Sequence, residues 1–312
     1  MASFAFVFPG QGSQSVGMLD GWGGHPAVRD TLQEASDALG EDIARLIREG
    51  PKDQLDLTSN TQPVMLTAGI ACFRAWRAET GMEPTVVAGH SLGEYSALVA
   101  AGSLGLADAL PLVRFRAQAM QEAVPVGVGA MAAVLGMEAQ AVREGCAEVA
   151  AASGEVVEAV NFNDPKQTVI AGSKAGVEKA CEALKAKGAK RALPLPVSAP
   201  FHSSLMRPAA ERLKDKLAAT AFASPRISVI NNVDVKAEMD PQAIRDALYR
   251  QAFGPVRWVE VVQAIRALGV VHILECGPGK VLAGMVKRID ADAVAATVFD
   301  PATLAEAKGL LA

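Results

Sequence analysis

Apolar runs of strand length alternate with amphipathic stretches of helix length over the first 125 residues. Residues 5–8 and 85–88 are short apolar runs, and a glycine-rich turn follows the first of them. Apolar positions at helical spacing recur between and after these runs, and Pro63 suits the first turn of one such stretch. Helices are predicted over residues 31–49, 63–80, 92–101 and 107–124. The alternation predicts an α/β fold with a largely parallel sheet.

The middle of the chain follows a different order of elements. Its strand-like runs and helical stretches come in the order strand, helix, strand, strand, helix, strand, which is the ferredoxin-like pattern. Gly127 and Gly129 on one side, and Pro194 and Pro196 on the other, are candidate hinges. We therefore predict an inserted ferredoxin-like α+β subdomain at 126–197. The larger α/β domain would then be discontinuous, with residues 1–125 and 198–312, and would include a later strand at 270–275.

The composition limits the classes of partner. The chain has 312 residues, of which 50% are hydrophobic, and its 30 basic and 34 acidic side chains give a net charge of −4. Nucleic-acid-binding surfaces are usually basic, and only 5% of the residues are aromatic, so no nucleic-acid partner is expected. No apolar run reaches the roughly 18 residues of a membrane span, so no membrane partner is expected either. The first apolar run has no basic region before it and indicates a strand rather than a signal peptide.

The cysteines do not form a metal-binding or disulfide framework. They are far apart in the sequence, without a CxxC pair, and the four histidines do not cluster near them. We therefore predict no metal site, and we interpret the cysteines as reduced thiols of a cytoplasmic protein. The four are Cys72, Cys146, Cys181 and Cys276.

A five-residue motif gives the strongest indication of chemistry. Residues 89–93 read GHSLG, directly after the predicted strand 85–88 and before a predicted helix. The glycines permit a strained turn that pushes the Ser91 hydroxyl out above the sheet, as in the nucleophile elbow of an α/β-hydrolase-like core. The helix N-terminus behind the turn offers N–H groups to a developing oxyanion. The alternative is an ordinary turn with Ser91 as a helix cap, but the flanking strand and helix favour a catalytic serine.

A serine hydroxyl needs a base, and the chain offers four histidines. His25 lies in a polar, glycine-rich segment, and His272 lies inside a predicted strand, where a core role is expected. His90 adjoins the serine, and we expect its ring to point away from a base position. His202 follows the strand that returns to the larger domain, where loops often carry such groups. Spacing therefore favours His202 as the base.

Two turns and two sets of basic residues have alternative interpretations. The turns at 9–14 and 277–280 lack the glycine patterns of nucleotide-binding loops, and we predict that the first presents the N–H of Gln11 beside the elbow. Arg114 and Arg116 face different sides of a helix, so we expect one in solvent. The other either binds a substrate carboxylate or forms a structural ion pair. A basic stretch is either a solvated face or a surface for an acidic protein or phosphates: Lys185, Lys187, Lys190 and Arg191.

These segments together resemble the malonyl-CoA:acyl carrier protein transacylases of type II fatty acid synthesis, over nearly the whole chain. Residues 8–14, FPGQGSQ, are similar to the opening motif of that family, and residues 89–97, GHSLGEYSA, to its nucleophile motif. Residues 127–132 resemble the entry to its ferredoxin-like subdomain. Further similarities lie at 161–163, 231–233 and 277–280. The first two motifs are highly specific when they occur together.

The resemblance implies a ping-pong transfer with a malonyl-serine ester. Ser91 would take the malonyl group from malonyl-CoA, with His202 as general base, and pass it to the phosphopantetheine thiol of acyl carrier protein. The resemblance places the oxyanion-binding N–H groups at Gln11 and Leu92, and it implies that the backbone carbonyl of Gln251 orients His202. Coenzyme A enters as a thioester substrate, and no cofactor is implied. The implied substrate-binding residues are Arg116, His90, Gln11, Asn163 and Met120.

Two departures from the family pattern concern the acyl preference. Ala117 stands where the family often has glycine, and Phe201 before the histidine resembles malonyl-selective acyltransferase domains of polyketide synthases. Four alternatives stay open at this point. They are another acyl preference, a discrete acyltransferase of a polyketide pathway, a serine esterase or thioesterase, and a non-catalytic subunit that docks a carrier protein.

Overall fold

A computed structural model describes residues 2–197 and 199–312 and contains two sheets. The large sheet has five parallel strands in the order β7-β2-β1-β8-β9, and the small sheet has four antiparallel strands in the order β4-β5-β3-β6. The predicted α/β fold with a largely parallel sheet is confirmed. The strands are β1 (Phe4–Phe8), β2 (Val86–Gly89), β3 (Gly129–Leu135), β4 (Val157–Asp164), β5 (Gln167–Ser173), β6 (Arg191–Pro194), β7 (Ser228–Ile230), β8 (His272–Cys276) and β9 (Val294–Val298).

Helices cover the sheets and connect their strands. Two single 3₁₀ turns, at Asp20–Trp22 and Ser204–Met206, supplement them. The α-helices are α1 (Pro26–Leu39), α2 (Ile43–Glu49), α3 (Lys52–Leu55), α4 (Thr58–Thr80), α5 (Gly93–Ala100), α6 (Leu106–Glu122), α7 (Ala139–Ser153), α8 (Lys174–Ala186), α9 (Arg207–Ala219), α10 (Pro241–Gln251), α11 (Trp258–Ala267), α12 (Val281–Ile289) and α13 (Pro301–Leu310).

The predicted elements differ from the structure in three places. The single helix predicted at 31–49 is two helices, because Gly40 ends α1 at φ 64° and the Asp42 side chain caps α2. Helix α4 begins at Thr58, so Pro63 lies inside it rather than in its first turn. The sequence pattern also did not predict β7, β9 or helices α9 to α11. Strands β7 and β9 form the two edges of the large sheet, where their residues are less uniformly buried than those of β1.

The large sheet is buried on both faces. Every residue of β1 is buried, and its alternating side chains enter two different cores. Phe4, Phe6 and Phe8 pack toward α4, where Phe6 lies edge-on to Trp76 at 5.3 Å between ring centroids. Ala5 and Val7 enter the opposite core with α11 and α12. Burial on both faces explains why this strand is a continuous apolar run, as parallel strands are.

The small sheet has one face against its own helices and one face toward the large sheet. Val134 and Ile170 pack with α7 and α8, whereas Met131, Val160 and Val169 form a separate cluster on the other face. All of these strands lie within residues 126–197, and the division of the chain into two domains stays a prediction. Residue 198, where the larger domain is predicted to resume, lies outside the described residues.

Backbone hydrogen bonds join the small sheet to the large part of the molecule. The Val256 N–H donates to the Val160 carbonyl at 2.8 Å, and the Phe162 N–H donates to the Val256 carbonyl at 2.9 Å. Arg288 on α12 reaches the buried Asp164 at the end of β4, with 2.7 Å between Nε and Oδ2. These contacts fix the distance between the two sheets and hence the shape of the space between them.

The sharp turn between β2 and α5 depends on glycines at close approach. A Cβ atom on Gly93 would lie 2.0 Å from the carbonyl oxygen of Phe8, and one on Gly89 would lie 1.9 Å from the carbonyl carbon of Gly93. Real Cβ atoms do not approach backbone atoms so closely, so only glycine lets α5 begin directly against β1. The turn is therefore fixed by packing as well as by local conformation.

Gly93→Ala is expected to lower the free energy of unfolding by more than about 2 kcal/mol, because β1 and α5 must move apart. Gly309→Ala is the matched control, because nothing lies within 4 Å of its Cβ position on α13. Urea unfolding of both variants measures the difference. Equal stability of the two variants would contradict the close approach.

Candidate active site

Ser91 is presented in a strained conformation at the end of β2. Its φ angle is 53°, in the left-handed region that non-glycine residues seldom occupy. The Ser91 N–H donates to Oδ1 of Asn232 at 2.7 Å, and Nδ2 of Asn232 donates to the Gly89 carbonyl at 2.7 Å. Asn232 comes just after β7, the neighbour of β2, so a contact from a distant part of the sequence holds the turn in place.

His202 lies against the Ser91 hydroxyl. Its Nε2 is 2.7 Å from the Ser91 Oγ, and its Nδ1 is 2.9 Å from the Gln251 carbonyl oxygen and 3.2 Å from that of Gly254. Because carbonyl oxygens only accept, Nδ1 carries the proton, and Nε2 is free to accept from the hydroxyl. The arrangement has the donor, acceptor and orienting group that a nucleophile and base require.

Burial keeps the His202 ring neutral. The side chain is 4% exposed, and burial, followed by the positive charge of Arg116, lowers its pKa to about 3. The neutral ring is the form that can take a proton from Ser91. His202 is therefore in its basic form at any pH near neutrality.

Arg116 on α6 is a buried cation whose hydrogen-bond partners are uncharged. It is 1% exposed, and burial lowers its pKa. Its Nη1 donates to Oε1 of Gln62 at 2.9 Å, and its Nη2 donates to Oε1 of Gln251 at 3.0 Å and to the Ser91 Oγ at 3.3 Å. Its guanidinium lies 5.4 Å from the ring centroid of Tyr95. A buried charge whose hydrogen-bond partners are all neutral is costly, and the carboxyl of Glu94, which is only partly ionised near neutral pH, offsets this cost incompletely. This site therefore favours an anionic ligand beside Ser91.

Glu94 lies behind the site rather than in it. Its Oε2 accepts from the Asn232 N–H at 2.8 Å and from Nε2 of Gln251 at 2.9 Å. Burial raises the pKa of this carboxyl to about 7, so its negative charge is only partly present near neutral pH. Glu94 thus connects the loop after β7 with the end of α10.

A cavity of about 130 Å³ opens on these groups between the two sheets. The large part of the molecule contributes Ser91, His202 and Arg116 to its wall, together with the predicted residues Gln11, Leu92, His90 and Met120. The other side of the cavity is apolar except for Asn161. It consists of Met131, Asn161, Leu195, Val197 and Phe201. The oxyanion-binding role predicted for the N–H groups of Gln11 and Leu92 stays a prediction.

Two predicted positions near the elbow differ in their placement. The ring of His90 lines the cavity, and its Nε2 contacts Asn163 rather than the Ser91 hydroxyl, so it stands away from a base position; its substrate-binding role stays a prediction. Asn163 is not in the cavity wall; it is 5% exposed and lies behind His90, with 2.8 Å between its Oδ1 and the His90 Nε2. Asn161, two residues earlier, lines the cavity. The register of β4 shifts between Ala159 and Asn161 and again between Phe162 and Asp164, so the regular alternation of side chains is interrupted around both asparagines. The substrate-binding role of Asn163 stays a prediction.

The remaining candidates lie outside the cavity. Arg114 is not free in solvent as predicted, because both of its Nη atoms bond the Glu41 carboxylate, at 2.8 and 2.9 Å. In the basic stretch, Lys187 forms an ion pair with Glu148. His25 is paired with Glu79 at 3.1 Å. His272 is half-buried at the start of β8 rather than deep in the core.

Within residues 2–197 and 199–312, no group of three or more His, Cys, Asp or Glu side chains could hold a metal ion. Within the same ranges, no helix combines the length and apolar character that crossing a bilayer requires.

Comparison with known proteins identifies the family. The family model described as acyl transferase domain matches residues 5–298. The malonyl CoA-acyl carrier protein transacylase of Escherichia coli (strain K12) is 53% identical over 308 residues, which cover 98% of this chain and 99% of that protein. The chain belongs to the acyl transferase family, and within it to the malonyl CoA-acyl carrier protein transacylases.

Solved structures of this family have the same fold. The acyl-carrier-protein S-malonyltransferase from Burkholderia pseudomallei 1710b superposes with a TM-score of 0.96 at 66% identity, covering 98% of this chain and 99% of that one. A malonyl-transacylase solved in complex with its type II PKS acyl-carrier protein superposes with a TM-score of 0.96 at 50% identity, and the match covers 98% of this chain and 99% of that chain. These identities support the resemblance that the two opening motifs indicated.

Sequence reasoning missed four polar residues of the site. Gln62, Asn161 and Asn232 each contribute an amide, and Glu94 contributes a carboxyl. Gln62 and Glu94 lie in segments predicted as or beside helices, where a polar residue is usually exposed. Apolar residues surround both of them in the sequence, but only the packing of α4 and α5 shows that they are buried.

The reaction of Ser91 with a fluorophosphonate is expected to proceed at nearly the same rate at pH 5 and pH 7.5. The base is present above the pKa of His202 and is lost only as pH falls through about 3. Intact-mass measurement of the labelling rate tests this. A fall with a midpoint near the ordinary histidine pKa of about 6.5 would show that the ring is not shielded.

Proposed function

We propose that this protein transfers the malonyl group of malonyl-CoA to the phosphopantetheine thiol of acyl carrier protein through an ester on Ser91. The observation that carries the proposal is the position of Arg116. A buried guanidinium with uncharged hydrogen-bond partners lies 3.3 Å from a serine hydroxyl that also contacts a neutral histidine. A nucleophile beside a buried cation that makes no ion pair suits an acyl group that ends in a carboxylate. The names of the relatives support the same substrate and carrier.

The first half-reaction forms the ester. The Ser91 Oγ attacks the thioester carbon while Nε2 of His202 takes its proton, and a tetrahedral oxyanion forms. The N–H groups of Gln11 and Leu92 stabilise this oxyanion, with Leu92 at the start of α5, where the helix dipole adds to the effect. The intermediate collapses, the carbon–sulfur bond breaks, and His202 returns its proton to the sulfur of coenzyme A.

The second half-reaction runs through the same groups in reverse. The carrier thiol gives its proton to His202 and attacks the ester carbon. The carbon–oxygen bond to Ser91 breaks, and His202 protonates the Ser91 Oγ again. Each proton and charge is handled by a side chain or a main-chain N–H, so the proposal includes no metal or redox cofactor.

The charge of Arg116 accounts for the choice of acyl group. A malonyl group pairs its free carboxylate with the guanidinium, whereas an acetyl group leaves the buried cation unpaired. Breaking a buried charge pair costs about 3–5 kcal/mol, and each 1.4 kcal/mol or so changes a binding or rate constant tenfold. We therefore expect discrimination against acetyl-CoA of about two orders of magnitude. Pairing also removes one of the charges that lower the pKa of His202, so the bound carboxylate helps the ring to hold the transferred proton.

An esterase or thioesterase is less well supported. Such enzymes usually orient their histidine with a carboxylate, whereas His202 bonds two carbonyl oxygens. The far side of the cavity is also largely apolar, so it offers few groups that could hold a hydrolytic water beside a bound malonyl ester. Both features favour transfer over hydrolysis.

Fatty acid synthesis is the proposed pathway, and one observation favours a second candidate. A malonyl-transacylase that is 50% identical was solved with a type II PKS acyl-carrier protein. The chemistry is the same in both pathways, so only the carrier protein differs. We also propose a cytoplasmic location, because the four cysteines are all unpaired and buried.

Malonyl-CoA is expected to leave a malonyl adduct on the wild-type protein and none on Ser91→Ala. His202→Ala should slow adduct formation by about 10²-fold or more, because general base catalysis is lost. Intact-mass measurement before and after addition of holo acyl carrier protein follows both steps. Release of free malonate at the same rate with and without carrier would support the thioesterase instead.

Arg116→Ala is expected to reduce kcat/KM for malonyl-CoA about 100-fold while acetyl-CoA loses less than about threefold. Arg114→Ala is the matched control, because Arg114 lies on the same helix and pairs with Glu41 away from the cavity. The measurement is the rate of adduct formation by each of the two variants with each of the two thioesters, relative to wild type. Equal losses for the two thioesters would assign Arg116 a structural role.

A further inference from the structure

The side chain of Gln251 has no part in the chemistry described so far. Gln251 is fully buried at the end of α10 and does not line the cavity. Only its main-chain carbonyl touches the reacting groups, through Nδ1 of His202. Its amide group nevertheless makes three hydrogen bonds in the wall behind the nucleophile.

These three hydrogen bonds fix the amide in one orientation. Oε1 of Gln251 accepts from Nη2 of Arg116 at 3.0 Å, and an arginine can only donate. Nε2 donates to Oε2 of Glu94 at 2.9 Å and to the Ser91 carbonyl at 3.1 Å. A flipped amide would place its NH₂ against the guanidinium and its oxygen against two acceptors. Glu94 therefore holds the amide oxygen toward Arg116.

At this position an amide oxygen differs from a carboxylate oxygen in its charge. The amide holds the guanidinium by a hydrogen bond but carries no net charge, so the charge of Arg116 stays available to a ligand. Gln62 supplies the second such acceptor, at 2.9 Å from Nη1. A carboxylate in the place of either amide would satisfy the cation from within the protein and would repel a second carboxylate.

We propose that the Gln251 side chain is a positioning residue that determines acyl specificity, by holding Arg116 with an uncharged acceptor whose orientation Glu94 fixes. The inference rests on the proposed malonyl transfer. One residue thus serves two separable roles, because its main-chain carbonyl orients His202 for any acyl group. Its side chain acts through Arg116 only when the acyl group carries a carboxylate.

The test is Gln251→Met, which keeps the length of the side chain and the main-chain carbonyl but removes the acceptor. The ratio of kcat/KM for malonyl-CoA to that for acetyl-CoA is expected to fall at least about tenfold, since hydrogen bonds to charged groups are among the stronger ones. A change in the orientation of His202 would slow both thioesters alike, so the ratio of the two isolates the effect on Arg116. The dependence of the acetyl rate on pH reports separately whether His202 has kept its environment. Gln242→Met, at an exposed site in the first turn of the same helix, is the control.

Gln251→Glu gives a second reading that does not depend on the folding of the first variant. It keeps an acceptor toward Arg116 but turns a carboxyl oxygen toward Glu94, so the two carboxyls share one proton and leave a negative charge beside the guanidinium. The same ratio is therefore expected to fall although a hydrogen bond to Arg116 is retained. A ratio within twofold of wild type in either folded variant, or equal losses for both thioesters, would overturn the inference. If the wild-type protein itself formed no malonyl ester on Ser91, the proposed function would fail instead, so the two failures are distinguishable.

Discussion

The site depends on the positive charge of a buried arginine that makes no ion pair and lies next to a nucleophile. Arg116 is buried, and the groups that hydrogen-bond it are two amide oxygens and a hydroxyl. Burying this cation costs desolvation free energy, which lowers the stability of the fold. A ligand carboxylate offsets part of that free energy when it binds. Burial, followed by the positive charge of Arg116, lowers the pKa of His202 and keeps the base neutral before the substrate arrives. Recognition and reactivity are therefore coupled through one side chain.

Contacts from distant parts of the chain maintain this arrangement. Asn232 ties the strained turn at Ser91 to the end of β7, and Gln251 and Gly254 orient His202. The segment that follows Gly254 continues directly to Val256, whose backbone bonds β4 of the small sheet. One short stretch of backbone therefore both orients His202 and holds the small sheet in place. This link fixes the distance between the two sheets and hence the size of the cavity between them.

Several features of the fold could be predicted from the sequence because they depend on residues close together in the chain. The alternation of apolar runs with helical stretches predicted the parallel sheet, and the order of elements in the middle of the chain predicted the second sheet. GHSLG in its strand-to-helix context predicted the turn at Ser91, where the structure has φ 53°. Spacing favoured His202 among the four histidines as the base, and the structure places its Nε2 2.7 Å from the Ser91 Oγ. The break at Gly40 was missed because the apolar periodicity of α1 and α2 runs on through it.

By itself the sequence determined most of the elements up to residue 197, the strand-to-helix turn that presents Ser91, and the family, because each depends on a short run of residues whose conformation is set mainly by its neighbours. Only the tertiary structure decided that Arg116 faces Ser91 while Arg114 pairs with Glu41, since two arginines of one helix are chemically equivalent until packing buries one of them. It likewise decided that Asn161 rather than Asn163 lines the cavity. Burial and charge balance are properties of a complete environment, and residues 25 to 160 positions apart in the sequence supply that environment here.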